Sequence, residues 1–207
     1  MPLIRRPPDT APAPGAPDAI ALEADLRAAE TDVRWKAARA LGAIPGAAPV
    51  LGAASLMEAD SRVREAIFTS LARIGSAESV AMLVPHIRAD DAERRTGAMD
   101  ALKSVPAVLA SAMPALLSDS DPDVRVLACD LARELPSTEA TVLMVQVLDG
   151  EPELNVCAAA VDVIADVGLP AALEPLRRCA QRFGDPFLDF AVKIACDRIG
   201  EQAPARG

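Results

Sequence analysis

A unit of about thirty residues recurs along the chain, and it constrains the fold more than any other feature of the sequence. Its clearest copy runs from Asp121 to Leu135, and earlier copies cover 32–44 and 61–74. Each copy begins with a short acidic turn, and small apolar residues then recur at helical spacing. One helix pair buries too little apolar surface to offset the entropy lost on ordering it, so such units stack and share a core. The sequence therefore predicts a stack of helix pairs.

Helix-start and helix-stop signals divide residues 18–200 into six antiparallel pairs. Asp18 is a suitable N-cap for the first helix. Pro85, Pro114 and Pro175 each lie within the first helix of a pair, where a proline either starts a shortened helix or kinks it. The predicted pairs are 18–29 with 32–44, 47–58 with 61–74, 77–88 with 92–105, 107–118 with 122–135, 138–149 with 152–167, and 170–183 with 186–199.

The composition favours an all-α fold. The chain has no Tyr and only five aromatic residues, whereas β-sheets usually draw on Tyr, Phe and Trp. A core of Ala, Leu, Val and Ile lets helices approach closely.

Residues 1–17 contain six prolines, which are incompatible with a helix, so we predict a disordered leader that is either inert or a docking peptide. Residues 201–207 are predicted to be a disordered tail.

The net charge of -9 is unevenly distributed. Residues 1–106 contain 13 Lys and Arg against 14 Asp and Glu, whereas residues 107–207 contain 8 against 16. Such a chain repels phosphate backbones, so nucleic acid and anionic membranes are poor partners and a protein with a basic segment is a better one. No apolar run follows Arg5 and Arg6, which argues against a signal peptide or membrane span and predicts a cytoplasmic location.

The residues available for catalysis or metal binding are few. Each of Cys129, Cys157, Cys179 and Cys196 falls in a predicted helix among apolar neighbours and without short ligand spacing, which predicts buried, reduced thiols and no metal or other cofactor. His86 is the only histidine, and we expect it to be a surface or capping residue. With one His and no Tyr for acid–base chemistry, we assign no catalytic residue, and enzymatic activity remains an open question.

The repeated unit resembles HEAT repeats, in particular the short kind of phycobilin lyase-like HEAT proteins. The resemblance covers about 18–200 and is strongest in the first, second and fourth pairs. It implies an α-solenoid in which Asp–Arg pairs form an internal ladder. It also implies a non-enzymatic scaffold or adaptor, or alternatively a bilin lyase-like chromophore-attachment or maturation factor. The residues that match the family pattern, and that we expect in the ladder, are Asp32, Arg34, Arg64, Arg95, Asp121 and Arg125.

In such repeats the second helices line a concave face on which partners usually bind. Here that face is expected to grade from basic to acidic along the chain. Trp35 is either an exposed anchor for a partner or a cap over the open end of the first pair. Phe187, Phe190 and Ile194 give the sixth pair a bulkier apolar face, as expected for an end pair. The residues expected to bind a partner are Trp35, Lys36, Arg39, Arg73, Asp130, Asp162, Asp166, Asp189 and Asp197.

Overall fold

The computed structural model describes residues 18–202, which form α-helices and short 3-10 turns and contain no β-strand. The predicted leader, 1–17, lies outside the described residues, as does 203–207 of the predicted tail. The last helix continues through Glu201 and Gln202, where the sequence analysis had placed the start of that tail. The helices are α1 Ala19–Asp25, α2 Thr31–Leu41, α3 Ala48–Met57, α4 Ser61–Ile74, α5 Ala77–Leu83, α6 Ala92–Lys103, α7 Pro106–Leu109, α8 Met113–Leu117, α9 Pro122–Leu131, α10 Ser137–Gly150, α11 Leu154–Val167, α12 Leu173–Phe183 and α13 Pro186–Gln202.

These helices confirm the predicted all-α solenoid. The six pairs are α1 with α2, α3 with α4, α5 with α6, α7 and α8 with α9, α10 with α11, and α12 with α13. The second helices α2, α4, α6, α9, α11 and α13 pack on one another in chain order. First helices form the other layer, in which α3 packs on α5 and α10 on α12. The core therefore runs along the stack between the two layers.

Small residues permit the close approach of successive second helices. In α4, Val63, Ile67 and Leu71 are fully buried, as their spacing predicts. A methyl group built on Gly42, at the end of α2, would lie only 2.7 Å from the Ser70 side chain on α4. The backbone of the first pair thus lies directly against the second pair, which a larger residue at Gly42 would prevent.

The prolines break the first helices where the sequence predicted disruption. α5 ends at Leu83, and Pro85 lies in the 3-10 turn Val84–Arg88 that follows. Pro114 is the second residue of α8, and Pro175 is the third residue of α12, where a missing N–H leaves no helical bond unmade.

The acidic turn residues mainly cap the second helices. Asp60, Asp91 and Asp121 each accept a hydrogen bond from a backbone N–H in the first turn of α4, α6 and α9. Asp18 does the same for α1, as predicted. These caps fix where each helix begins and therefore set the register of the Val-Arg unit that follows.

Within 18–202, no single helix has the length and apolar content needed to cross a membrane. The bent pair formed by Ala92–Lys103 and Pro106–Leu117, which turns by 97°, meets those requirements only when its two parts are taken together. Its apolar side chains Leu102, Leu109 and Met113 are fully buried in the core of the stack.

Candidate protein-binding surface

Exposed side chains of α2, α4, α6, α11 and α13 form the surface that we call the second-helix face. Its residues lie on the side of each helix opposite the buried stripe. Charged and polar side chains dominate it, with one apolar exception on α13. The face is defined by the exposed residues Lys36, Arg39, Glu65, Thr69, Arg73, Thr96, Asp100, Asp162, Asp166, Phe190 and Asp197.

At the N-terminal end of this face, Trp35 is half-buried between the first and second pairs. The guanidinium groups of Arg39 and Arg62 each lie 4.8 Å from its ring centroid. Arg62 also binds Asp32 at 2.8 Å, and Arg73 donates to the carbonyl of Arg39 at 3.5 Å. Trp35 therefore lies at the junction of two pairs, and cations of the chain itself already contact its ring.

At the acidic end of the face, arginine and lysine side chains form ion pairs with several of the aspartates that we expected to bind a partner. Arg133 on α9 reaches two aspartates on α11, so the ion pairs link successive second helices. This pairing reduces the field that these aspartates present to a partner. The contacts are Lys103–Asp130 at 2.7 Å, Arg133–Asp130 at 3.2 Å, Arg198–Asp166 at 3.0 Å, and Arg133 with both Asp162 and Asp166.

Asp189 and Asp197 on α13 differ from the other expected acidic residues. Both are exposed, and neither forms an ion pair with any residue between 18 and 202. Their charge is therefore directed to solvent rather than to another helix of the solenoid.

The apolar exception on the face is a row of side chains on α13. Phe187 is 86% exposed, Phe190 is 67% exposed and Ile194 is 37% exposed. Their spacing of three and four residues places them on one side of the helix, and we call them the α13 aromatic stripe. The core instead receives a second apolar stripe of the same helix, which consists of Leu188, Val192, Ala195 and Ile199.

The salt bridge between Arg198 and Asp166 fixes the direction in which the α13 aromatic stripe faces. Arg198 follows Ile194 by four residues, so both side chains lie on the same side of α13. Because Arg198 reaches Asp166 on α11, that side borders the acidic part of the second-helix face. Asp197 follows Phe190 by seven residues and lies on the same side as that ring. Exposed aromatic and acidic side chains thus lie next to one another.

The arginines of the repeated unit bind the loop that precedes their own helix. Each guanidinium donates to a backbone carbonyl five or six residues earlier in the chain. The resulting bonds satisfy carbonyls at the end of the first helix of the same pair. The bonds run from Arg34 to Ala28 and Ala29, from Arg64 to Glu58 and Ala59, from Arg95 to Ala89, and from Arg125 to Asp119.

Two of these arginines also bind a glutamate in the next pair. Arg34 binds Glu58 through two bonds of 2.8 and 3.0 Å, and Arg125 binds Glu151 through two bonds of 2.8 Å. Burial raises the pKa of each glutamate, but the hydrogen bonds from arginine and from a backbone N–H outweigh it and leave the pKa below its usual value.

The ladder therefore differs from the expected Asp–Arg pairing. Asp32 binds Arg62 instead of Arg34, and Asp121 caps α9. Arg64 is the arginine nearest to the expected pattern, because it lies 3.7 Å from Asp91. The longer glutamate side chain reaches back across the junction between pairs, whereas the aspartates are held at the helix starts.

His86 is buried rather than at the surface, which corrects the sequence prediction. Its Nε2 lies 2.8 Å from the hydroxyl of Ser55, and its ring centroid lies 4.8 Å from that of Phe68. Burial, with smaller effects from Arg94 and Arg64, lowers the pKa of His86 to about 4. A neutral imidazole in this place is a core residue that joins α3 to the 3-10 turn Val84–Arg88.

The cysteines lie in helices as predicted. Cys129, Cys157 and Cys179 are buried, and Cys196 is half-buried. The part of the chain that the structure describes contains no group of three His, Cys, Asp or Glu side chains with the geometry of a metal site.

Stacked helix pairs, an internal arginine ladder and a long exposed face of second helices define a helical-repeat protein. The chain belongs to the HEAT repeat family, whose pattern matches residues 20–103 and 109–192. This match confirms the resemblance seen in the sequence.

Several solved structures have a similar arrangement of helices. An archaeal HEAT-like repeat protein from Thermococcus onnurineus NA1 is 15% identical, with a TM-score of 0.49 over 88% of this chain and 87% of that one. The complex of CpcE and CpcF of phycocyanin lyase from Nostoc sp. PCC7120 is 17% identical, with a TM-score of 0.40 over 94% of this chain and 100% of that one. No curated protein matches the chain. Similarities of this size concern the fold alone.

Proposed function

We propose that this chain is a protein-interaction scaffold that binds an amphipathic segment of a partner protein, with apolar residues of that segment on the α13 aromatic stripe and basic residues on the adjacent aspartates. HEAT and armadillo repeat proteins typically bind protein partners, and this fold generally serves as an interaction scaffold. The specific surface and the chemistry of the partner are the new elements of the proposal.

The observation on which the proposal rests is the exposure of Phe187 and Phe190. The chain has only four phenylalanines, and two of them face solvent on neighbouring turns of one helix. Full burial of a Phe side chain is worth about 1.5–3 kcal/mol, so two adjacent rings offer a substantial gain to a partner that covers them. Aromatic residues are also enriched at protein interfaces.

The charge around the α13 aromatic stripe favours a partner with basic residues. Asp189 and Asp197 lie on the same helix without ion-pair partners among residues 18–202, and the Asp162 side chain is 72% exposed although Arg133 contacts it. Lys193 is a basic neighbour, while Arg198 is already bound to Asp166. Acidic groups beside an apolar anchor raise the rate of encounter with a basic segment and oppose an acidic one.

The proposal is tested by quantitative affinity capture from native lysate with matched surface variants. Phe187→Ser combined with Phe190→Ser should weaken capture of the partner by about thirtyfold, because truncation of a central anchor costs about 2 kcal/mol. Met57→Ser is the control, since Met57 is also 86% exposed but lies on α3, in the layer of first helices. Equal capture by wild type and the double Phe variant would show that the α13 aromatic stripe is not the binding surface.

Two further double variants separate the effect of the α13 aspartates on binding from the effect of the net charge of the chain. Asp189→Lys combined with Asp197→Lys should weaken binding, and added salt should weaken wild-type binding in parallel. Glu78→Lys combined with Glu139→Lys changes the net charge equally on the exposed side of first helices. If both double variants weaken binding to the same extent, the aspartates of α13 have no local role. Asp162 and Asp166 are less suitable for this test, because reversing them would also break the ion pairs to Arg133.

A further inference from the structure

The fifth helix pair has a cysteine where earlier pairs have the ladder arginine. Val156-Cys157 occupies the place that Val124-Arg125 occupies one pair earlier. The correspondence extends to the hydrogen bond, because the Cys157 thiol donates to the Glu151 carbonyl, six residues earlier, at 3.6 Å. Arg125 donates to the carbonyl of Asp119 at the same separation in sequence. A short thiol thus replaces a long guanidinium and leaves space beside it.

A guanidinium from the next pair enters that space. Arg182 on α12 donates to the Glu151 carbonyl at 2.8 Å and to the carbonyl of Asp149 at 3.1 Å. The Nη2 atom of Arg182, which donates to Glu151, also lies 3.5 Å from the Cys157 sulfur and 3.9 Å from the sulfur of Cys179. One guanidinium nitrogen is thus within 4 Å of both sulfurs. Two thiols from facing helices therefore share one cation.

An exposed arginine lies beside this buried thiol pair. Cys157 and Cys179 are 0% and 1% exposed, whereas Arg182 is an exposed residue. Its guanidinium lies 4.9 Å from the ring centroid of Phe183, and its two backbone acceptors hold it beside the sulfurs. Movement of this exposed side chain would bring the two sulfurs closer to solvent.

We propose that Cys157 and Cys179 form a peroxide-sensitive thiol pair that closes to a disulfide between α11 and α12. The Cys179 thiolate attacks one oxygen of hydrogen peroxide, the O–O bond breaks, and hydroxide leaves to give a sulfenic acid. The Cys157 thiol then attacks the Cys179 sulfur, the S–O bond breaks, and water leaves as the disulfide forms. Peroxide is the two-electron oxidant, and the two thiols together are oxidised by two electrons.

The electrostatics assign these roles to the two sulfurs. The neighbouring Cys157 sulfur, together with the charge of Arg182, lowers the pKa of Cys179 in spite of its burial. The neighbouring Cys179 sulfur and burial raise the pKa of Cys157, whose thiol donates to the Glu151 carbonyl. The other two cysteines lack such a cation at hydrogen-bonding distance, and burial raises the pKa of both Cys129 and Cys196. Cys179 is therefore the attacking sulfur and Cys157 the resolving one.

The test compares cysteines of opposite accessibility in the full chain. Limiting hydrogen peroxide is added at neutral pH, remaining thiols are alkylated, and peptides are quantified by mass spectrometry. We expect a 157–179 disulfide, with loss of two hydrogens, to appear before Cys196 is modified, although Cys196 is the most exposed of the four thiols. Oxidation of Cys196 first, or the absence of a 157–179 disulfide, would overturn the proposal.

Variants test the role of the guanidinium. Arg182→Met should slow disulfide formation by about tenfold, because the thiolate loses its neighbouring cation. Arg182→Lys retains a cation and should slow it less, and it also controls for loss of folding in the Met variant. Cys129→Ser should leave the rate unchanged, whereas Cys179→Ser should abolish the disulfide. A rate that is equal in wild type and both Arg182 variants, with circular dichroism unchanged, would contradict the proposed mechanism.

Discussion

Replacement of Arg125 by Met should lower the free energy of unfolding by about 3 kcal/mol. The substitution removes both bonds to Glu151 and the bond to the Asp119 carbonyl. The Glu151 side chain is only 6% exposed and would retain one bond, from the backbone N–H of Glu153 at 3.0 Å. Loss of one partner of a buried ion pair costs about 3–5 kcal/mol, and we take the lower end because a surface cavity of about 460 Å³ reaches both residues.

The measurement is urea denaturation followed by circular dichroism, with the free energy taken from the midpoint at constant slope. The fourth and fifth pairs are interior to the stack, so fraying of an end pair does not obscure the effect. Arg178→Ala is the matched control. Its salt bridge to Asp149 has exposed partners, at 56% and 45%, and should contribute less than about 1 kcal/mol. Equal losses in the Arg125 and Arg178 variants would refute the reasoning.

Two further variants refine this prediction. Arg125→Met combined with Glu151→Leu should recover most of the loss, because no buried charge is left unpaired. The difference between wild type and Arg125→Met should also narrow in acid. The pKa of Glu151 is lowered in the folded chain, so its contribution is present above its unfolded value of about 4.5 and disappears as the pH falls through the folded pKa.

Two other predictions concern the core. The pKa of His86 falls from 6.5 to about 4 on folding, so the unfolded chain takes up the proton first as the pH falls. The free energy of unfolding should therefore decrease by about 3 kcal/mol between pH 6.5 and 4. His86→Gln should remove this part of the pH dependence in denaturation curves. Gly42→Ala should destabilise the chain by about 1–3 kcal/mol in the same assay, because the added methyl would lie 2.7 Å from Ser70. Gly150→Ala meets no atom within 4 Å and should not destabilise it.

The sequence predicted the helix pairs well because local signals determine them. Buried residues such as Val63 and Ile67 recur at helical spacing, and Asp60 and Gly75 mark where α4 begins and ends. These signals need no knowledge of neighbouring pairs. The same reasoning marked Pro85 as a residue that either starts a shortened helix or kinks one, and the structure has a 3-10 turn there.

The candidate surface was harder to predict because it depends on which of two stripes faces the core. α13 has one apolar row that contains Leu188 and Val192 and another that contains Phe187 and Phe190. Periodicity alone favours both, and packing against α11 selected the first. The two apolar rows on α13 were nonetheless a signal, since α11 and α12 pack against only one of them.

Some partners of the ladder arginines, and the position of His86, differ from the sequence prediction for geometric reasons. The distance from Arg34 to Glu58 is set by how one pair packs on the next, which residue spacing does not reveal. His86 follows Pro85, and a continued α-helix was assumed there. The tighter 3-10 turn changes the direction of the side chain and places it in the core.

The junction between the third and fourth pairs has the smallest contact between successive second helices, and this leads to a last prediction. α6 meets α9 over a shorter stretch than any other successive second helices, and a cavity of about 340 Å³ lies beside the contact. Two ion pairs cross this junction, Arg88–Asp119 and Lys103–Asp130. The family match is also interrupted here, between 103 and 109.

Because stability in a repeat stack is a sum over neighbouring contacts, weakening this junction should let the two halves unfold separately. Trp35 is the only tryptophan, so its fluorescence reports on the N-terminal half, whereas circular dichroism reports on both halves. In wild type the two signals should change together in urea. In the double variant Arg88→Met and Lys103→Met they should diverge, since non-coincident transitions are the mark of a lost two-state transition. Coincident transitions in the variant would mean that apolar contacts, rather than these ion pairs, couple the halves across the α6–α9 junction.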